Sequence, residues 1–334
     1  MRNRQVLFVH RPEGKLTESD FEMREADVPE LASGEVLCRT ILLSVDPANR
    51  AWMAGRTYRD QLGENEVMSG FTFSEVVDSG DTTLARGTIV AGDGGWQEYA
   101  VLPAAGLRAV NARGPLTLHM SALGITGLTG YFGMLEVGHP AEGETVVVSA
   151  AAGATGSVAG QLARIQGARV IGITGSDAKN TVLVDKLGFD AAANYRSETF
   201  RKDLRAHCPS GVDVYFDNVG GSTLETMLRL MNVHGRIACC GAVSQYDTSD
   251  PGPGPSGIPG LLVTKRLRAE GFLVSDFIDE WPAAEERLAG WIESGELTVL
   301  EDVMDGLESA PHALVGLLAG DNIGKRIVRL APDP

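Results

Sequence analysis

Short apolar runs separated by turn residues dominate the first third of the chain. Residues 6–9, 36–45, 73–77, 88–91 and 96–101 are each long enough for one strand. Clusters such as Ser33-Gly34-Glu35 and Asp78-Ser79-Gly80-Asp81 punctuate them, and the pattern predicts a compact barrel or curled sheet. Near Pro115 the rhythm changes, and residues 116–135 show helical spacing with many glycines. From Glu144 onward strands and helices alternate: strands at 145–149, 169–174, 212–216 and 236–240, helices at 155–166, 179–187 and 222–231. Such alternation predicts an α/β fold whose parallel sheet is covered on both faces. After the loop DPGPGPSGIPG (250–260), a helix and strand are expected over 261–274, amphipathic helices over 281–294 and 312–320, and a last strand over 325–330.

Composition narrows the function classes. The 334 residues are 43% hydrophobic and 22% charged, which suits about two domains of roughly 150 residues each and excludes a disordered chain. No window reaches the roughly 18 apolar residues of a membrane helix. The first residues are apolar only at 6–9, too few for a secretory signal, so a cytoplasmic location is expected. With 29 basic against 44 acidic residues the net charge is −15, a surface that repels phosphate backbones and argues against nucleic-acid or membrane partners. Cys38, Cys208, Cys239 and Cys240 form no CxxC pair and are expected to be reduced, mostly buried thiols. The six histidines are scattered, and no metal site is expected.

The strongest chemical signal is VVVSAAAGATGS, residues 146–157. A buried strand runs into a small-residue turn and then a helix, the setting a dinucleotide fingerprint requires. A lone glycine-rich turn can be only a tight turn; the strand before it and the helix after it favour the cofactor reading. Gly153 lets the backbone approach a pyrophosphate, Gly156 allows the helix to pack on the sheet, and the helix N-terminus supplies N–H donors. Ala151 stands where the fingerprint has its first glycine. The next strand ends in Gly175-Ser176-Asp177-Ala178-Lys179, without the tip carboxylate that receives ribose hydroxyls in NAD sites. Lys179 suits a 2′-phosphate, although a solvated surface lysine is the plain alternative, and Asp177 is expected to cap the helix. One charge-assisted hydrogen bond of about 1.5–3 kcal/mol would give NADP roughly a ten- to hundred-fold preference.

With these segments in hand, the chain resembles the zinc-independent medium-chain dehydrogenases/reductases, specifically the prostaglandin reductase and alkenal double-bond reductase group. The resemblance spans nearly the whole chain. It rests on SVDPANR (44–50), GLTGYFG (127–133), AAGATGSVAGQLA (151–163), GSDAK (175–179), LGFDAAANYR (187–196), YFDNVGG (215–221), GRIACCGAVSQY (235–246), LRAEGFLV (267–274) and GDNIGK (320–325). It implies a GroES-like β-barrel catalytic domain of residues 1–122 with 297–334, a doubly wound Rossmann NADP-binding domain of residues 123–296, and a homodimer. It further implies an NADPH-dependent reductase of carbon–carbon double bonds conjugated to a carbonyl, acting on a small apolar carbonyl substrate without zinc. Hydride would go to the β-carbon, hydrogen-bond donors would stabilise the charge on the carbonyl oxygen, and the α-carbon would take a proton.

Carried over by position, Gly153, Ala154, Thr155 and Gly156 form the pyrophosphate turn. Lys179 and Tyr195, with Arg196, meet the adenosine 2′-phosphate side. Asn218, Cys240, Gly241, Tyr246, Phe272, Leu273, Val274 and Asn322 line the ribose and nicotinamide portion; Phe272 and Val274 equally suit sheet core, and Asn218 a turn. Ala48 and Thr264 stand where relatives carry tyrosines that serve as candidate proton donors. Tyr246 and Arg50 are therefore the catalytic candidates, with Asn49 and Tyr58 nearby. Two other readings stay open: an NADPH:quinone reductase of the same superfamily, and a non-catalytic NADPH-binding protein.

Overall fold

The computed structural model describes every residue except Tyr58, Pro251, Pro253 and Pro334. Among the described residues the strands are, in chain order, β1 (Arg2–Phe8), β2 (Phe21–Asp27), β3 (Glu35–Ser44), β4 (Glu66–Val67), β5 (Thr72–Asp78), β6 (Ile89–Gly92), β7 (Tyr99–Pro103) and β8 (Arg108–Ala109). They continue with β9 (Thr145–Ser149), β10 (Arg169–Thr174), β11 (Ala191–Asn194), β12 (Val212–Asp217), β13 (Met231–Cys239), β14 (Arg268–Gly271), β15 (Glu301–Asp305) and β16 (Lys325–Arg329).

The second half builds a six-stranded parallel sheet in the order β11-β10-β9-β12-β13-β14. Its period-2 geometry sends alternate residues to opposite faces. Val146, Val148, Val170, Val214 and Phe216 pack in one core with helices Ile125–Phe132 and Ala154–Ile165. Val147, Ile171, Ile173 and Tyr215 pack in the other with helices Phe200–His207 and Gly221–Leu230. Because both faces are covered, β9 (TVVVS) is buried along its whole length, which is why it reads as an unbroken apolar run.

The first third forms a curled, mostly antiparallel unit: a seven-stranded sheet around β3 and a three-stranded sheet β2-β1-β4. The C-terminal residues return to it, with β16 antiparallel to β3 (Ile327 opposite Ser44) and β15 parallel to β16. Helix Ala310–Ala319 adds Ala313 and Leu314 to the core of Phe8, Met53 and Trp96.

Several expected elements differ in detail. The helical stretch at 116–135 is broken into Leu116–Met120, Ile125–Phe132 and a wider turn, Gly133–Gly138. The strand expected in the second part of 261–274 ends at Gly271, and a tight helical turn starts at Val274. β2 and β15 escape a reading based on apolar runs because their side chains, FEMREAD and EDVMD, are mostly polar. Ser176, and not Asp177, is the N-cap of helix Asp177–Leu187: its hydroxyl accepts the Lys179 N–H at 3.3 Å.

Candidate active site

The sheet order reverses between β9 and β12, and in open α/β sheets ligands bind outside the carboxyl ends of the strands at such a point. Ser149 closes β9 and Asp217 closes β12. Asn218 spans the reversal: its backbone N–H donates to the Ser149 hydroxyl (2.9 Å) and its side-chain amide to the Ser149 carbonyl (2.7 Å). Asp217 holds the turn from below, accepting from the Tyr215 hydroxyl (2.8 Å), Val219 N–H (3.0 Å) and Gly220 N–H (2.9 Å). Burial and the neighbouring Asp217 push the Tyr215 phenol well above its ordinary pKa, so it stays a neutral donor. Ser149, Tyr215 and Asp217 were not among the expected site residues. The one signal for them is an aspartate directly after the apolar run Val214-Tyr215-Phe216.

At the end of β9 the chain turns through Ala150, whose φ of 48° lies in the left-handed region. The demand for an unusual backbone therefore falls on Ala150, one residue before the expected Ala151, at a cost of roughly 1–2 kcal/mol for an L-residue. Gly153 precedes helix Ala154–Ile165, and no side chain caps that helix; an uncapped helix N-terminus of this kind suits an anion. A Cβ on Gly156 would lie 2.4 Å from the Ala150 oxygen, so only glycine lets the helix sit this close to the strand end.

The segment after helix Ala310–Ala319 crosses over this turn. The Gly324 N–H donates to the Ala152 carbonyl at 2.7 Å, and the buried Asn322 side chain donates to the Gly324 carbonyl at 2.8 Å. The same segment meets the cations next to β10: Lys179 Nζ donates to the Gly320 carbonyl at 2.6 Å and Arg196 Nη2 to the Ala319 carbonyl at 2.9 Å. The Arg196 guanidinium lies 5.6 Å from the centre of the Tyr195 ring, and an ideal Cβ on Gly175 would be 3.1 Å from that ring. Lys179, Tyr195 and Arg196 are thus brought together beside the glycine that replaces a carboxylate. Burial pulls the Lys179 ammonium below its ordinary pKa, with Asp321 opposing the shift.

Beyond β13, Cys240 and Gly241 donate their N–H groups to the Asp217 carbonyl (2.9 and 3.0 Å). Burial, helped by Asp217, pushes the Cys240 thiol up to about 12, so it is no nucleophile at neutral pH. The Tyr246 oxygen accepts the Ala242 N–H at 3.2 Å. Phe272 packs edge-on against Phe216, with ring centres 6.4 Å apart; Leu273 is largely exposed, and the Val274 carbonyl accepts the Trp281 indole N–H at 3.0 Å. The Thr264 hydroxyl donates to the Gly260 carbonyl of its own helix at 2.8 Å. Tyr58 lies outside the described residues.

The polar residues of SVDPANR are all engaged. Asp46 accepts from the Ser44 hydroxyl (2.5 Å) and from the buried Lys325 ammonium (2.5 Å), while Asn49 bonds the Asp46 N–H (2.8 Å) and the Ser69 carbonyl (2.9 Å). Arg50 does not face open solvent: it is 4% exposed and donates to Asp247 and to the Gly14 carbonyl.

Residues 4–110 match the family described as "N-terminal domain of oxidoreductase", and residues 154–290 match "Zinc-binding dehydrogenase". Zinc does not fit this chain: among the described residues no group of three or more His, Cys, Asp and Glu side chains converges, and Cys38 is buried within β3. Prostaglandin reductase 1 of Rattus norvegicus is 42% identical over 324 residues, covering 95% of this chain and 96% of its own length. The NADP(+)-dependent 2-alkenal reductase of Nicotiana tabacum is 39% identical over 340 residues, covering 98% of each. The crystal structure of CurA from Vibrio vulnificus in complex with NADPH superposes with a TM-score of 0.94 at 35% identity, covering 99% of this chain and 100% of that one. On these matches, a GroES-like β unit joined to a Rossmann sheet whose order reverses at Ser149 and Asn218, the chain belongs to the medium-chain dehydrogenases/reductases, in the prostaglandin reductase and alkenal double-bond reductase group.

Proposed function

We propose that this protein is an NADPH-dependent reductase of the carbon–carbon double bond of α,β-unsaturated aldehydes and ketones. The observation that carries the reading is the joint placement of two anion sites: the uncapped N-terminus of helix Ala154–Ile165 at the sheet reversal, and Lys179 with Arg196 at the end of β10. The first suits a pyrophosphate and the second a 2′-phosphate. When bound, NADPH supplies the hydride that saturates the β-carbon of the alkene.

The chain's own residues do the rest. Gly153, Ala154, Thr155 and Gly156 hold the pyrophosphate; Lys179, Tyr195 and Arg196 hold the adenosine phosphate; Asn218, Cys240, Gly241, Tyr246, Phe272, Leu273, Val274 and Asn322 border the ribose and nicotinamide side. Tyr246 is the group proposed to meet the substrate carbonyl. Its oxygen is the acceptor toward the Ala242 N–H, which leaves its proton for donation as charge builds on the substrate oxygen. Arg50, the other catalytic candidate, has its guanidinium held by Gly14 and by Asp247, the residue after Tyr246, which supports a role through that neighbour.

The substrate is a small molecule, and we propose an apolar carbonyl compound lying between a barrel domain (1–122 with 297–334) and a nucleotide domain (123–296). The return of β15 and β16 to the first sheet supports that division. We further propose a homodimer joined along the edge strand β14, which is flanked in sequence by the exposed apolar side chains of Val263, Leu273 and Ile278. No described helix is long and apolar enough to cross a membrane. The four free thiols suit a reducing compartment, and we place the enzyme in the cytoplasm. The test is the loss of NADPH absorbance with enals, enones and quinones, repeated with NADH. Turnover of enals and enones with NADPH is expected. Turnover of quinones alone, or tight NADPH binding with no acceptor, overturns the proposal.

A further inference from the structure

We propose that Asp247 is a positioning residue for this reaction, fixing Tyr246 through a buried ion pair with Arg50 that joins the β unit to the nucleotide-binding sheet. The inference rests on the reading of Tyr246 as the group facing the substrate oxygen.

Three separate pieces of chain meet at the Asp247 carboxylate. Its Oδ1 accepts Arg50 Nε at 3.1 Å and the Leu16 N–H at 2.7 Å, while Arg50 Nη2 donates to the Gly14 carbonyl at 2.9 Å. Arg50 belongs to the short helix Ala48–Ala54 and its side chain is 4% exposed; that of Asp247 is 18% exposed. A guanidinium this deeply buried is stable only with a partner carboxylate and filled hydrogen bonds, and Asp247 with Gly14 provides both. The geometry therefore requires residue 247 to stay where it is.

That requirement is passed directly to the site. The loop carrying Tyr246 is held at its other end by the nucleotide-binding sheet: Cys240 and Gly241 donate to the Asp217 carbonyl, Val243 N–H to Asn218 (3.1 Å) and Ser244 N–H to Val219 (3.2 Å). Tyr246 lies between these anchors and Asp247. Just past Asp247, Ser249 and Asp250 are exposed. The half-buried carboxylate is the anchor of this loop that reaches the β unit. A phenol one residue away is held in register with the β unit as well as with the sheet. Misplacement of a reacting group by about 1 Å costs on the order of a hundredfold in rate.

The test uses full-length Asp247→Ala, Asp247→Asn, Tyr246→Phe and the double variant Tyr246→Phe/Asp247→Ala, each checked by thermal melting. For each, kcat and KM for an enone and the NADPH dissociation constant by fluorescence are measured. Tyr246→Phe and Asp247→Ala are each expected to lower kcat by about ten- to hundred-fold, a larger factor than any loss of NADPH affinity. The double variant is expected to be no slower than the slower single one, because both changes remove the same placement. Asp247→Asn keeps the oxygen facing the Leu16 N–H but not the charge; it is expected to fall between the parent and Asp247→Ala, and it replaces Asp247→Ala if that variant does not fold. Slow Tyr246→Phe beside an Asp247 variant with parental kcat overturns the positioning role alone. Independent, multiplying losses in the double variant also overturn it. A fully active Tyr246→Phe overturns the reading of Tyr246 and this inference with it.

Discussion

The strand–turn–helix units that follow β9 and β10 are built alike and finish in opposite ways. After β9 the turn is made of Ala150 to Gly153, and helix Ala154–Ile165 begins with no side chain over its N-terminus. After β10 the Ser176 hydroxyl closes the N-terminus of helix Asp177–Leu187, and the charge on offer is the Lys179 side chain, steered by the Gly320 carbonyl. An exposed set of helix N–H groups recognises an anion by dipole and close backbone approach, whatever the rest of the ligand. A cation on a long side chain adds a point charge that tells one nucleotide from another. On the function proposed, the first unit makes a dinucleotide bind and the second selects which one.

The largest effect should come from closing the first unit. Gly156→Val puts a side chain where a Cβ would already lie 2.4 Å from the Ala150 oxygen. It is expected to lower stability by about 1–3 kcal/mol and to abolish binding of both NADPH and NADH. A fluorescence titration beside a melting curve checks it, and an NADPH affinity within about threefold of the parent would break the comparison.

Lys179→Ala should separate the two nucleotides, raising KM for NADPH roughly ten- to hundred-fold and leaving NADH unchanged. Equal effects on both would remove the second unit's role. The same lysine predicts a pH dependence. Burial holds its pKa below the ordinary 10.5, and only the ammonium form attracts the phosphate. KM for NADPH should therefore rise as pH climbs through the lowered value, before it reaches 10.5, while KM for NADH stays flat. In Lys179→Arg the guanidinium keeps its charge, so that rise should vanish.

Ser176→Ala should have the smallest effect. Loss of the cap is expected to lower stability by about 1 kcal/mol with NADPH affinity retained. A tenfold weakening of NADPH, about 1.4 kcal/mol, would show that the cap also takes part in phosphate recognition.

Much of this was legible because it is local. β9 reads as a strand because five consecutive residues are buried on both faces. The turn reads as a phosphate cradle because strand, small residues and helix are contiguous, and Lys179 stands out because Gly175 and Ser176 occupy the tip where a carboxylate would discriminate against NADP. Capping was less legible: Ser176 and Asp177 are adjacent and both suit an N-cap, and only the observed backbone assigns the role to the serine.

The sequence by itself determined the alternation that forces a parallel sheet, the place where its first strand meets a helix, and the charge poised at the second, since each depends on neighbours within one or two turns of chain. Tertiary structure alone decided that Arg50 faces Asp247, that Asp46 holds Lys325, and that the carbonyls of Ala319 and Gly320 orient Arg196 and Lys179. Those partners lie 123 to 279 positions apart. A charged side chain in sequence carries no mark of whether water or a buried opposite charge will satisfy it; that depends on which surfaces exclude water once the β unit and the parallel sheet have packed together.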